Sequence, residues 1–420
     1  MPLLRGCCMA NINVVIFPAA PGGTMNVKGR HGCIELMRVC GYPMIEWALR
    51  TAESVSKSIT VFTGSNDAAS YIGERAKVKD ASCYKGEIDM LSSVLGQMDK
   101  EDRVLMLHAN QPAISRSHAE QLVANEADFA MIAAEDALPS YALCCKVGAL
   151  YPEIESIPPE LAALTITRRI KRKCFIIRDD GAAAAAYDGR TLALCEKKIL
   201  KMITAKHQYN GVSIIDPDNT YIGPDVEIAE DAVIWPNTVL TGKTRIGCGT
   251  EVKQGCNIND STIGANCTLI YVVANEAEVG DGVSMGPFVN LRPNTKIASG
   301  CKVGDFVEVK NSNIGAGSKL PHLSYIGDAD IGERVNVGCG CVFVNYDGVH
   351  KHRSTVGNDV FLGCQTNLVA PVSVGDGAYT AAGSTINKDV PADAMAFARP
   401  RQVNKEGYAS KYRALKKGEN

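Results

Sequence analysis

From Tyr221 onward, aliphatic residues recur every six positions. Ile222, Ile228, Ile234, Leu240, Ile246, Val252 and Ile258 form one series. After a slip of register it resumes at Val279, Met285, Leu291, Ile297, Val303 and Val309. It returns at Ile331 and Val337, and again at Val356, Leu362, Leu368, Val374, Thr380 and Ile386. Glycine often follows, as at Gly247, Gly264, Gly280, Gly304, Gly332, Gly357 and Gly375. One hexamer makes one short strand and a corner. Three make one coil of a triangular prism, with the aliphatic side chains stacked inward as ladders and glycine allowing the tight corner. A period sustained this long predicts a parallel β-helix over residues 221–395. Residues 343–355, FVNYDGVHKHRST, carry no such register and are expected to be a loop thrown out of the prism wall, where rigid scaffolds tend to carry binding and chemistry.

The preceding half has a different texture. NINVVIF, SITVFTG and DRVLMLH are short β-branched or aliphatic runs separated by helix-like segments such as the second half of CIELMRVCGYPMIEWALRTAESV. Strands alternating with helices predict a mostly parallel sheet. GAAAAAYDGRTLALCEKKILKMI reads as a loop and a closing helix. VVIFPAAPGGTM (14–25) has the form of a first strand feeding a Gly-rich, phosphate-cradling loop, but it holds no cation before Lys28. The expected organisation is an α/β nucleotidyltransferase-like (Rossmann-like) domain over 11–205, a linker over 206–220, the β-helix over 221–395 and a basic tail over 396–420.

Composition narrows the partners. A net charge of −2 gives no global footing for nucleic acid. MPLLRGCCMA has no useful signal-peptide core and no window has the apolar run of a membrane helix, so a cytoplasmic protein without a membrane partner is expected. The 16 cysteines show no CxxC pair and no zinc spacing, Cys339-Gly-Cys341 being the nearest approach. Buried, inert thiols are expected, and no metal site.

The stretches GDFVEVKNSNIGAGSKLPHLSYIGDADIG (304–332), NYDGVHK (345–351), VAPVSVG (369–375) and AAGSTI (381–386) closely resemble the bacterial bifunctional N-acetylglucosamine-1-phosphate uridylyltransferase/glucosamine-1-phosphate acetyltransferase family. The resemblance runs from about residue 210 to 408. It implies a left-handed β-helix, a homotrimer, and transfer of an acetyl group from the cosubstrate acetyl-CoA to the amine of glucosamine 1-phosphate, a step of UDP-N-acetylglucosamine synthesis. By this resemblance His322 is the general base, a role suited to a neutral imidazole. Arg292, Lys310 and Lys351 supply cations to the sugar phosphate, and Tyr325 and Asn336 hydrogen-bond it. Asn345, Tyr346, Ala382 and Arg399 fall at acetyl-CoA positions, as do Cys339 and Cys364, where the family has Ala and Ser.

The N-terminal half departs from the same family. The family's loop LAAGxGTRM reads FPAAPGGTM here, and PKVL reads CIEL (33–36). GTGHA is replaced by something like GEIDM (86–90), and the magnesium-binding Asp of GDVP becomes Asn110 in ANQP. No NTG motif follows. Glu35 adds a charge that repels a triphosphate, while Lys28 and Arg30 can replace one lost cation. Uridylyl transfer relies on those cations and a metal ion. An inactive N-terminal domain is therefore expected, with Mg needed only if it is active. The alternatives are a fully bifunctional enzyme, a γ-class carbonic anhydrase-like metalloenzyme using His322, His350 and His352, and a non-catalytic assembly protein. The set His322, Arg292, Lys310 and Lys351 speaks against the last.

Overall fold

The computed structural model describes residues 11–19, 33–133, 139–170, 173–179, 181–182 and 184–417. Pro21, Gly22, Gly23, Thr24, Met25, Lys28 and Arg30, which carry the loop reading above, lie outside the described residues, as does MPLLRGCCMA. The chain divides into two compact units, 1–206 and 207–420.

The first unit is built on a seven-stranded sheet: β1 (Ile12–Phe17), β2 (Ser58–Thr63), β3 (Lys77–Asp80), β4 (Arg103–His108), β5 (Phe129–Ala133), β6 (Pro139–Lys146) and β7 (Phe175–Arg178), in the order β3-β2-β1-β4-β6-β5-β7. β1 runs parallel to β2 and β4. Val14 to Phe17 are all buried because both sheet faces are covered, the reason a parallel strand reads as a continuous apolar run. Ile45, Ala48, Leu49 and Ala52 of helix α1 (Met44–Glu53) pack with Val14 and Ile16, whereas Ile88, Leu91 and Leu95 of α2 (Glu87–Leu95) pack with Val15 and Phe17. The sheet is less uniformly parallel than the alternation suggests, since β6 pairs antiparallel with both β4 and β5.

The second unit is a left-handed parallel β-helix whose coils lay strands on three faces in turn. The first face has eleven strands, from Ser213–Ile214 to Met395–Ala396. The second has ten, from Tyr221–Ile222 to Thr385–Ile386, and the third has nine, from Glu227–Ile228 to Ser373–Val374. Every aliphatic residue of the six-residue series is buried, Thr380 included. The slips have a simple cause. Passing from the second face to the third, Ile258 to Ile263, Val309 to Ile314 and Ile326 to Ile331 are five-residue steps that keep the inward ladder while breaking the count of six.

Two expected boundaries change. Residues 206–220 are not a free linker. The helix Gly189–Tyr209 runs through their start, and Ser213–Ile214 already pairs with Val233–Ile234 as the first rung of the prism. The excursion at 343–355 is narrower than the pattern suggests. Phe343 is an inward ladder residue paired with Leu368, and Ser354–Val356 is a third-face strand, so the projecting loop is 345–353.

Candidate active site on two corners of the prism

The corner between the first and second faces carries a vertical file of residues. Strand pairing stacks Val303, Leu320, Val337, Leu362, Thr380 and Ala396 on successive rungs. Two residues beyond each stand Asp305, His322, Cys339, Cys364, Ala382 and Ala398. Rungs lie about 4.8 Å apart, so this edge runs roughly 14 Å from His322 to Ala382 and is lined below the histidine by small side chains. Backbone bonds from Gln365 N to Cys339 O and from Gly383 N to Cys364 O, both 2.8 Å, hold the file in register. Cys364 is exposed and Cys339 partly so. Cys341, just behind them, is buried, and burial pushes its thiol up to about 11. Arg399 Cδ lies 4.0 Å from where a Cβ on Gly383 would stand, closing the lower end of the edge.

His322 is half-exposed at the top of this file. Its Nδ1 lies 2.5 Å from Oδ1 of Asp305, one rung above and in register. That contact, foremost, holds the Asp305 carboxyl below its usual range. Asn336 stands on the first face between Lys319 and Phe361, one rung below the strand of His322.

The cations gather at the next corner, where the second face turns into the third. Arg292 and Lys310 sit at equivalent ends of adjacent second-face strands, and Gly327 occupies that place one rung further on. Lys310 Nζ reaches Oδ2 of the buried Asp328 at 3.5 Å. Asp328 also accepts from Asn311 Nδ2 at 2.6 Å and from Asn345 Nδ2. Burial alone raises Asp328, but these amides and the Lys310 ammonium outweigh it and hold the carboxyl below its ordinary range. Arg292 donates to Glu308 at 2.9 Å. The loop 345–353 brings Lys351 to the same place, bridged to Tyr346. The adjacent Lys310 ammonium depresses the Lys351 pKa, with Arg292 adding to the effect and Asp328 opposing it. Tyr325 completes the group. A Cβ on Gly327 would fall 2.5 Å from the Tyr325 hydroxyl and 2.7 Å from Asn345 Nδ2, so glycine there leaves room for both.

The structure thus joins Arg292, Lys310, Tyr325 and Lys351 and adds Asn345 to them, while His322, Cys339, Cys364 and Ala382 form a separate file along the other edge. Tyr346 is exposed on the loop, its hydroxyl donating to Gly348 O at 2.6 Å. Sequence reading missed Asp305, Asp328, Asn311 and Gly327. The available signal was the coil length, since Asp305 and His322, like Asn311 and Asp328, are 17 residues apart and therefore stack. His352 bonds Asp347 at 2.7 Å within the projecting loop, away from the His322 edge. Among the described residues no group of three His, Cys, Asp or Glu side chains is placed to hold a metal. No described helix is long and apolar enough to cross a membrane.

In the first unit, the position read as the family's magnesium carboxylate is closed over. Asn110 is buried, its Nδ2 donates to Ala186 O at 3.4 Å, and its backbone O accepts from Ala186 N at 2.8 Å. Its Oδ1 has no hydrogen-bond partner. One neutral amide oxygen beneath its own chain is a poor place for magnesium, which favours carboxylates and retained waters. Among the described residues, the donors at this position do not fit that ion. Glu35 is buried beside Cys33.

These features define a nucleotidyltransferase-like unit joined to a hexapeptide β-helix with an acyltransferase-like arrangement. Residues 33–174 match the MobA-like NTP transferase domain family. Over 98% of this chain and all of its own length, the "Bifunctional protein GlmU" of Thermoanaerobacter pseudethanolicus is 36% identical. The proteins of that name from Caldicellulosiruptor saccharolyticus and Staphylococcus haemolyticus are 50% and 46% identical over 52% and 60% of this chain. Those two matches span about half of the relatives' own length, 47% and 56%. The chain belongs to the bifunctional protein GlmU family, and an NTP transferase domain is present in it.

Proposed function

We propose that this chain transfers the acetyl group of acetyl-CoA to the amine of glucosamine 1-phosphate, and that its N-terminal unit does not transfer uridylyl groups. The observation that carries the acetyl-transfer reading is the meeting of Lys310 and Lys351 beside Arg292. The Lys310 ammonium depresses the protonation of Lys351, an anion at this place relieves that repulsion, and a sugar phosphate is such an anion. Tyr325 and Asn345 offer the polar contacts around it. The small-residue file below His322 suits an extended thioester arm laid along the prism edge, with Arg399 near its lower end.

His322 accepts the amine proton as nitrogen attacks the thioester carbonyl. A C–N bond forms, the C–S bond breaks, and the thiolate leaves. Amine and phosphate occupy adjacent ring carbons of the acceptor, yet His322 and Gly327 are at opposite ends of one prism face, on the order of 10–15 Å apart. One chain therefore does not close the site, and a second copy supplies the missing half. The edge above His322 supports this assembly. Tyr271, Phe288, Phe306 and Leu323 stand exposed at successive rungs, with ring centroids of the three aromatics 5.2 Å apart. All four have φ between 45° and 61°, where other coils place Gly255, Gly340 or Gly383. Bulky residues held there at a conformational cost and left in solvent mark a surface that another chain covers. We expect a cyclic trimer. Phe306→Asp should convert it to monomers by light scattering and abolish acetyl transfer; a trimeric, active variant would contradict the assembly.

A CoA-release assay over a panel of amino-sugar phosphates tests the reaction. Release with glucosamine 1-phosphate supports it, and release with none of the panel refutes it. The second reading, a fully bifunctional enzyme, has the NTP transferase match at 33–174 in its favour and is separated by assaying pyrophosphate release from UTP.

A further inference from the structure

We propose that Asp305 is a positioning residue that forms a dyad with His322 and decides which imidazole nitrogen takes the amine proton; this rests on the acetyl-transfer reading above. The two side chains are in register on consecutive rungs of the first face, with Nδ1 and Oδ1 at 2.5 Å. The backbone holds them there, because Leu323 N donates to Asp305 O at 2.9 Å across the same corner. An ionised carboxylate only accepts, so it keeps the proton on Nδ1 and leaves the Nε2 lone pair free. When Nε2 takes a proton, the adjacent negative charge stabilises the imidazolium. The direction of the Asp305 shift agrees, since His322 is its leading cause. Other charged groups nearby do not substitute for it. Lys302 and Lys319 are paired with each other three residues earlier on the two strands, and Glu308, which starts the next face opposite Tyr325, is bound by Arg292.

This arrangement differs from a buried catalytic triad in its exposure, 54% for the histidine side chain and 36% for the aspartate. Solvent shares in stabilising the imidazolium, so removing Asp305 should cost less than removing His322. Asp305→Ala should lower kcat on the order of ten- to hundredfold, leave KM for the amino-sugar phosphate unchanged, and move the acid limb of the kcat/KM profile to lower pH. Asp305→Asn should move that limb in the same direction, because it loses the charge while keeping the shape. A second readout does not depend on turnover. In ¹⁵N-histidine NMR, with the His322 signal identified by its loss in His322→Ala, neutral His322 of the wild type should carry its proton on Nδ1, and Asp305→Ala should shift the population toward Nε2–H. An Asp305→Ala protein with the wild-type tautomer and pH profile overturns the inference. If the wild type acetylates no amino-sugar phosphate, the acetyl-transfer reading fails on that assay, and the NMR measurement still decides whether Asp305 sets the tautomer.

Discussion

Replacing His322 with alanine should lower kcat for acetyl transfer by ~10²–10⁴-fold, the usual worth of a positioned general base. A protonated amine does not attack a thioester, so the reaction needs a group that holds a proton only transiently near neutral pH. His322 is the imidazole at the head of the small-residue edge, and its chemistry is not shared by the lysines gathered at the other corner. The change should spare the fold. The side chain is half-exposed and hydrogen-bonds the surface carboxylate of Asp305, whereas the ladder residue of that strand, Leu320, is buried and untouched. The thermal midpoint should stay within roughly 2 °C of the wild type, as for most surface substitutions. A variant with near-normal turnover would remove His322 from the mechanism. A variant with a collapsed midpoint would show that the rate loss reports unfolding.

The second large effect is an absence of turnover. With UTP, N-acetylglucosamine 1-phosphate and magnesium, the protein should release pyrophosphate at less than about one-thousandth of a typical enzyme's ~10 s⁻¹. Uridylyl transfer places charge on a departing pyrophosphate, which enzymes meet with cations and a metal ion. Here the end of the β4 strand leads to a buried Asn110 bonded to Ala186, and the residue after Ile34 is the buried carboxylate Glu35. The sheet itself is intact, with Val14–Phe17 fully covered, because the core needs those residues whether or not a nucleotide is handled. Turnover within tenfold of the typical rate would restore the bifunctional reading and direct attention to Lys28 and Arg30.

Much of the prism was legible because its signal is periodic and physical. Each inward position must be apolar or small, and the series from Ile222 to Ile386 meets that demand. What escaped were the features that periodicity does not encode. The five-residue steps at Ile263, Ile314 and Ile331 interrupt the count where the second face turns. Phe343 was hidden by the polar loop that follows it, and Ser213–Ile214 by its distance from the regular series. In the first unit, the antiparallel β6 reads PSYALCCK, and such a composition does not reveal strand direction. The candidate residues were named by resemblance, but their division between two corners was not legible. Two residues 17 apart are neighbours only once coil length is known, so Asp305 and Asp328 looked like ordinary surface carboxylates. Asn345, placed by resemblance with acetyl-CoA, bonds Asp328 beside the cation cluster, because the loop leaves the prism at that corner.

The most direct test is a product analysis by mass spectrometry on one preparation given glucosamine 1-phosphate, acetyl-CoA, UTP and magnesium together. The account predicts that N-acetylglucosamine 1-phosphate accumulates and that no UDP-N-acetylglucosamine follows it. Unchanged glucosamine 1-phosphate would contradict the acetyl-transfer site, and UDP-N-acetylglucosamine would contradict the closed N-terminal unit.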